Sequence, residues 1–548
     1  MKNIKYILLS MFAMGFLACE YDELDELREN NNNVEDDEVI LPDLTVGTAD
    51  FSNYVAIGPS FTAGFTDNGL FIAAQENSFP NILAGQFANA GGGAFTQPLM
   101  NDNFGGLALS GNRIAQPRLV FGGAGPVPLE NVIGPVTVST DVALNNPTGP
   151  FNNLGVPGAK SFHFIAPDYG NISGLLTMPA TANPYAVRMT GNTPSATILD
   201  LAVAQSPSFF TADLIGGNDV LGYATSGGDA TLDQITDPAT FEVAFNAIIA
   251  GLTSNGAKGA VTNIPYVSSL PYFTTVPANA LDPSNPSFGP LIPTLNGIFG
   301  QINLVYEALG QANRSIVFSE TSASPVVIRD ESIADISTQM IAVFNASPTF
   351  PAFVQSLGLP AAAAPLVANL LGSTYGQSRQ ATNDDLLTLP SSSVIGTVNS
   401  DFFAFLTSQG IPADIAGQFA VEGITYPLDD RWVLLPSENT EIVAAVDAYN
   451  ATISAVATAN GLALVDVNGI LTEASTTGIM FDDFLLNTDL VFGGLVSLDG
   501  IHLTARGYAL MANSFLEAID ATYGSNFVAS GNLAKAGDFP TNYSPTLQ

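Results

Sequence analysis

Base-assisted chemistry near neutral pH calls for histidine, and this chain has two, His163 and His502. His502 lies in Ser497-Leu498-Asp499-Gly500-Ile501-His502-Leu503-Thr504, with a carboxylate three residues earlier and a glycine between them. The glycine lets the backbone turn tightly. An Asp-x-x-His turn can set a carboxylate oxygen against the imidazole Nδ1–H, which fixes the tautomer and leaves Nε2 free as a base. Taken alone the same pattern also describes an ordinary surface loop, so its partners elsewhere in the chain decide between the two.

A base of this kind needs a nucleophile and a set of donors for the developing oxyanion. The apolar run Tyr54-Val55-Ala56-Ile57 reads as a buried strand and runs into Gly58-Pro59-Ser60-Phe61-Thr62-Ala63-Gly64. A serine delivered by a glycine turn to the C-terminal edge of a buried sheet is where α/β folds place a nucleophile. Phe151-Asn152-Asn153-Leu154-Gly155-Val156-Pro157-Gly158-Ala159 is a second strand-end turn, whose glycines allow backbone N–H groups close to a ligand. A third apolar strand, Phe209 to Ile215, ends in Gly216-Gly217-Asn218-Asp219, where the Asn218 amide can be aimed at an oxyanion.

The elements that position these turns alternate between strand and helix. Asn77-Ser78-Phe79-Pro80 predicts a helix start leading to Phe87. Ala260 to Pro265 predicts a fourth strand, about 295–312 a helix, and Ser315 to Phe318 a further strand. Helical spacing of Ile442, Val443, Val446, Tyr449, Ile453 and Val456 places a helix over 439–460. Leu462 to Asp466 is the last strand and Thr504 to Tyr523 the last helix. This alternation favours a parallel sheet covered on both faces. Two stretches interrupt it: 91–149, rich in Gly, Pro and Asn, and 320–425. Within the second, Phe350 to Gly372 is apolar but broken by Pro351, Pro360 and Pro365. It reads as core, or as a lid or pocket wall, and not as a membrane span.

Of 548 residues, 47% are hydrophobic and 12% charged, enough for a large core. The formal net charge of −36, from 50 acids against 14 bases, argues against nucleic acid and anionic membrane surfaces as partners. The single cysteine, Cys19, excludes an intramolecular disulfide and a cysteine-based metal site. A basic start at Lys2 and Lys5, an apolar run from Tyr6 to Leu17 and the ending Leu17-Ala18-Cys19 resemble a bacterial lipoprotein signal with Cys19 as the lipidated residue. Glu20 to Val39 holds ten acids, one arginine and four consecutive asparagines, the composition of a disordered tether. Acids directly after the cysteine also resemble export signals of surface-displayed lipoproteins of Gram-negative bacteria.

Four stretches, in order, resemble the blocks of the SGNH hydrolases, the GDSL-like lipase and esterase family: Gly58 to Phe61, Asn153 to Gly158, Gly216 to Asp219, and Asp499 to Leu503. The long insertions resemble an enlarged lipoprotein branch of that family. The resemblance implies a flavodoxin-like three-layer α/β/α sandwich with a central parallel sheet and large insertions. It implies Ser60 as nucleophile, His502 as base and Asp499 as its orienting carboxylate, with an oxyanion hole from the Ser60 and Gly158 backbone N–H groups and the Asn218 side chain. His163 competes for the base role but has no matching carboxylate motif. Pro59 stands where the family usually has aspartate and supplies neither its charge nor its hydrogen bonds.

The expected organisation is a signal peptide over 1–18, lipidated Cys19 and acidic tether over 19–46, a hydrolase domain over 47–525 and a C-terminal tail over 526–548. The expected activity is hydrolysis of acyl or acetyl esters, small or polymer-borne, with no cofactor and no metal. The membrane would be met only through the lipid anchor, in the outer membrane at the cell surface or periplasmic face. The alternative is a surface lipoprotein that retains the fold to bind glycans or lipids without catalysis. The sequence carries no signal for the oligomeric state.

Overall fold

The structure, a computed structural model, describes residues 41–547. The signal, Cys19 and the acidic segment 20–39 lie outside the described residues. Five strands form the central sheet: β1 (Tyr54–Gly58), β2 (Asn153–Gly155), β3 (Phe209–Ala212), β4 (Lys258–Thr262) and β5 (Ala463–Val465). Their spatial order is β2-β1-β3-β4-β5, and every pairing is parallel.

Side chains alternate across a strand, so a sheet buried on both faces needs apolar residues at every position. Val55 and Ile57 of β1, Phe210 and Ala212 of β3 and Val261 of β4 enter one core, which includes residues from helices Pro238–Thr253 and Pro436–Asn460. Tyr54, Ala56, Phe209, Ala260, Ala463 and Val465 enter the opposite core, with helices Phe79–Asn89 and Ala505–Tyr523. The result is a mixed α/β fold in three layers. Helix Pro436–Asn460 is long and apolar enough to cross a membrane, but Ile442, Val446, Tyr449 and Ile453 spend its apolar stripe on the core.

The second insertion is larger than 320–425. Between β4 and helix Pro436–Asn460, residues from Val276 to Leu435 enclose a separate apolar core of their own. Helix Ile292–Ala308 belongs to it, and the strand expected at Ser315 to Phe318 does not form. That segment's backbone is satisfied instead by side-chain amides: Gln380 pairs with Val317, at 3.0 and 3.1 Å, and two amides one heptad apart on the helix take the residues on either side. Asn303 accepts from Ile316 N–H and donates to Ile316 O, at 2.9 and 2.8 Å; Asn296 does the same for Phe318 at the same distances. The apolar pattern of a strand is present, and the amides take the place of a neighbouring strand. The proline-punctuated stretch forms two helices, Phe350–Ser356 and Ala364–Tyr375, bent by 116°. Val354, Val367, Ala368 and Leu371 are buried in the same second core, the ordinary-core alternative for that stretch.

The domain boundaries also move outward. Thr45 N–H donates to Asn526 Oδ1 at 2.7 Å, and Leu44 and Val46 pack on the sheet core, so the fold starts before residue 47. The stretch 526–548 is no loose tail: Ala534 and Ala536 are buried, and Tyr543 meets Phe71 edge-on at 4.9 Å.

Candidate functional site

Strand β1 ends at Gly58, and Ser60 opens a one-turn helix, Ser60–Ala63. This helix lies directly on β2: a Cβ at Gly155 would sit 2.2 Å from the Ala63 nitrogen, so only glycine permits the approach. Asn153 ties the two together, donating from Nδ2 to Thr62 O at 2.8 Å and accepting the Gly155 N–H at 3.0 Å. Ser60 is held 6% exposed at the C-terminal edge of the sheet.

The Ser497–Leu503 stretch turns back on itself through Ser497 N–H to His502 O at 2.7 Å, with Gly500 at φ +76°. The Asp499 carboxylate collects four N–H donors. Its Oδ1 accepts from the backbones of Ile501 and His502 at 2.9 and 2.8 Å; its Oδ2 takes His502 Nδ1 at 2.9 Å and the Asn68 backbone at 2.8 Å. Burial alone would push this carboxyl up; His502 and the backbone donors more than reverse that and hold it well below the usual carboxylate range. An ionised carboxylate only accepts, so Nδ1 carries the proton and the Nε2 lone pair faces Ser60 Oγ at 2.8 Å. Phe61 and Phe65 flank the imidazole at 5.4 and 4.7 Å between ring centroids. Ser60, His502 and Asp499, 442 and 3 residues apart in sequence, thus form one continuous hydrogen-bonded chain.

The oxyanion candidates leave three adjacent strand ends, because β1 is paired with β2 on one side and β3 on the other. Asn218 begins helix Asn218–Thr225, and its Nδ2 donates to Ala159 O at 3.0 Å, beside Gly158. One amide N–H is thereby anchored, and the group has a second to offer. Among the described residues no hydrogen bond from the Ser60 or Gly158 N–H is recorded, whereas the Gly155 N–H is taken by Asn153. Gly158 therefore fits the donor role better than Gly155.

His163 stands in a one-turn helix, Ser161–Ile165, with Nδ1 accepting the Lys160 N–H at 3.0 Å and its ring stacked on Tyr169 at 4.3 Å. Burial, with Lys160 nearby, pushes its pKa down to about 4. Its ring is part of the local packing, and among the described residues no carboxylate hydrogen-bonds to it.

Two further acids escaped sequence reasoning. Asp213 follows β3 beneath the helix that carries Ser60, takes the hydroxyls of Thr62 and Thr262 at 3.3 and 3.4 Å, and is pushed up to about 8 by burial. Asp67 sits against the Asp499 turn and accepts the Leu498 N–H at 3.1 Å. Only Asp67 carries a sequence signal, the turn-forming Asp-Asn-Gly of Asp67-Asn68-Gly69. Elsewhere, carboxylate oxygens of Glu331, Asp430 and Glu438 lie within 4.8 Å of one another. Burial first, then each other's charge, raises Asp430 to about 7 and Glu438 to about 9, so protons can relieve that cluster without a cation.

No protein-family model, no curated protein and no solved structure matches the chain.

Proposed function

We propose that this protein is a serine esterase of the SGNH hydrolase kind, lipid-anchored through Cys19 outside the cytoplasm. The observation that carries the reading is the unbroken Ser60 Oγ–His502 Nε2 and His502 Nδ1–Asp499 Oδ2 contacts, 2.8 and 2.9 Å, at the C-terminal edge of a parallel sheet. The strand order, 2-1-3-4-5 when the sheet strands are numbered along the chain, supports a flavodoxin-like arrangement.

In this mechanism Ser60 Oγ attacks the ester carbonyl carbon while His502 Nε2 takes its proton. Asp499 holds the imidazole in the required tautomer and offsets the charge of the imidazolium. The oxyanion lies against the Ser60 and Gly158 N–H groups and the free N–H of Asn218. As the C–O bond breaks, His502 returns the proton to the departing alcohol. Water, activated by the same imidazole, then releases the acyl group. Pro59 interferes with none of these steps, since neither its side chain nor its missing N–H is called on.

The test is a panel of chromogenic short-chain esters with the domain lacking residues 1–40, beside Ser60→Ala. The wild type should turn over at least one ester and Ser60→Ala should not. Equal background rates for both would leave the non-catalytic binding lipoprotein as the better reading.

A further inference from the structure

We propose that Asp67 is a positioning residue of the Ser60–His502–Asp499 chain: its tight turn with Asn68 fixes the Asp499 oxygen that His502 Nδ1 contacts. The inference rests on the esterase reading above. Thr66 and Gly69 exchange backbone hydrogen bonds at 3.0 and 2.9 Å across a two-residue turn, with Asp67 at φ +51° and Asn68 at φ +59°. Positive φ at two successive non-glycine residues is unfavourable, and Asp and Asn tolerate it best. The turn therefore needs support from outside itself.

That support comes from the catalytic turn, some 430 residues away. Asp67 N–H donates to Ser497 Oγ at 3.1 Å, Leu498 N–H donates to Asp67 Oδ1 at 3.1 Å, and Asn68 N–H donates to Asp499 Oδ2 at 2.8 Å. Thr66 Oγ1 adds a bond to Leu503 O at 2.9 Å. Two consecutive residues of one turn thus bracket Ser497, Leu498 and Asp499, and the oxygen that receives Asn68 N–H is the one that receives His502 Nδ1. Asp67 is 1% exposed, so water does not replace any of these bonds.

The first insertion holds the turn from behind. Leu119 N–H donates to Asp67 O at 2.7 Å, and the wholly buried Arg118 is fixed by Asn103 O at 2.9 Å and Ser544 O at 2.7 Å. The groups facing the Asp67 carboxyl are Asp499 on the catalytic turn, Arg118 on the insertion and Tyr543 on the C-terminal segment. Burial pushes Asp67 up to about 7; Leu498 N–H and Arg118 work against that rise, and Asp499 adds to it.

Asparagine keeps positive φ and an oxygen for Leu498 N–H while removing the charge; alanine removes both supports. Asp67→Ala should lower kcat about 10- to 100-fold, the effect of one buried unpaired N–H beside the reacting groups, with KM unchanged. Asp67→Asn should keep most of kcat, because both the turn and the acceptor for Leu498 N–H remain. The NMR resonance of the His502 Nδ1 proton, assigned by its loss in His502→Gln, should shift or broaden in Asp67→Ala and persist in Asp67→Asn. Wild-type kcat and an unmoved resonance in a folded Asp67→Ala would overturn the proposal, as would an Asp67→Asn enzyme that loses as much kcat as Asp67→Ala. If Asp67→Ala fails a thermal-melting check, Ser497→Ala, which removes the acceptor of Asp67 N–H, decides: an unmoved resonance there overturns the proposal. A wild type that hydrolyses no ester would refute the esterase reading alone, and the resonance would still judge Asp67.

Discussion

Replacing Asp499 by asparagine tests the catalytic reading most directly, because the structure gives the variant two orientations and a reason to prefer one. The carboxylate accepts two N–H groups on each oxygen. If the amide N–H₂ takes the Oδ1 place, it confronts two backbone donors, Ile501 and His502, neither of which can become an acceptor. If it takes the Oδ2 place, it confronts only Asn68 N–H, because His502 can give up its Nδ1 proton and accept. The second orientation has one fewer donor conflict, worth about 1–3 kcal/mol. It also carries the wrong tautomer, with the proton on Nε2 facing Ser60. The productive orientation is then populated roughly 5- to 150-fold less.

The charge is lost in either orientation. A charge-assisted bond to the imidazolium contributes about 1.5–3 kcal/mol. Together the two effects give about 2.5–6 kcal/mol, or roughly 10²–10⁴ in kcat, against about 10⁴ for the same change in the type-case serine protease. Steady-state rates on a chromogenic ester across neutral and alkaline pH measure it, and KM should change little. Stability follows a separate rule. The folded carboxyl is held below its unfolded value, so it contributes stability above the unfolded carboxylate range, and that contribution is lost as pH falls through the depressed folded value. The melting temperature of Asp499→Asn should therefore lie below wild type at neutral pH and approach it in strong acid. Wild-type turnover in a folded Asp499→Asn would show that His502 works without its carboxylate, and the triad would be given up.

Asn218→Ala removes one oxyanion donor and should lower kcat by roughly 10²–10³ with KM nearly unchanged, read from the same assay; a raised KM at normal kcat would assign Asn218 to substrate binding. Gly155→Ala should be recovered mostly unfolded or not at all, as judged by circular dichroism and yield, because its Cβ would lie 2.2 Å from the Ala63 nitrogen and displace the nucleophile helix. Cys19→Ala should abolish incorporation of labelled fatty acid and move the protein out of the membrane fraction.

The residues of the Ser60–His502–Asp499 chain and the donors beside it were legible because each depends on a short local pattern. A buried strand followed by Gly-x-Ser, a glycine turn, Gly-Gly-Asn after an apolar strand and Asp-x-x-His each carry their meaning within about eight residues. Most of the sheet was legible for the same reason: β1, β3, β4 and β5 lie within two or three residues of their apolar runs. Ser315 to Phe318 marks the limit of that logic. Its residues have strand-like hydropathy, yet pairing to the Asn296, Asn303 and Gln380 side chains satisfies the backbone equally well, and nothing within the segment distinguishes the two solutions.

What holds the reacting groups in place was much less legible, since it depends on residues that meet only after folding. Asp67, Asn68 and Arg118 lie in stretches that read as turn and irregular insertion, and Ser544 in a stretch that reads as tail. Folded, they form a continuous support from the C-terminal segment through Arg118 and the 66–69 turn to Asp499. The arrangement follows from the chemistry at its end. An ionised carboxylate buried at 8% side-chain exposure needs every lone pair occupied, and the turn that carries it can supply only Ile501, His502 and the imidazole. The fourth donor has to come from another element. A backbone N–H serves better than a side chain, because it cannot titrate or swing away. Positioning that N–H requires a turn, and its positive φ values select Asp-Asn-Gly, the one trace of the device visible in the sequence. The glycine-rich first insertion is therefore part of the site's construction, and changes at Arg118 should be felt at His502 before they are felt at the sheet.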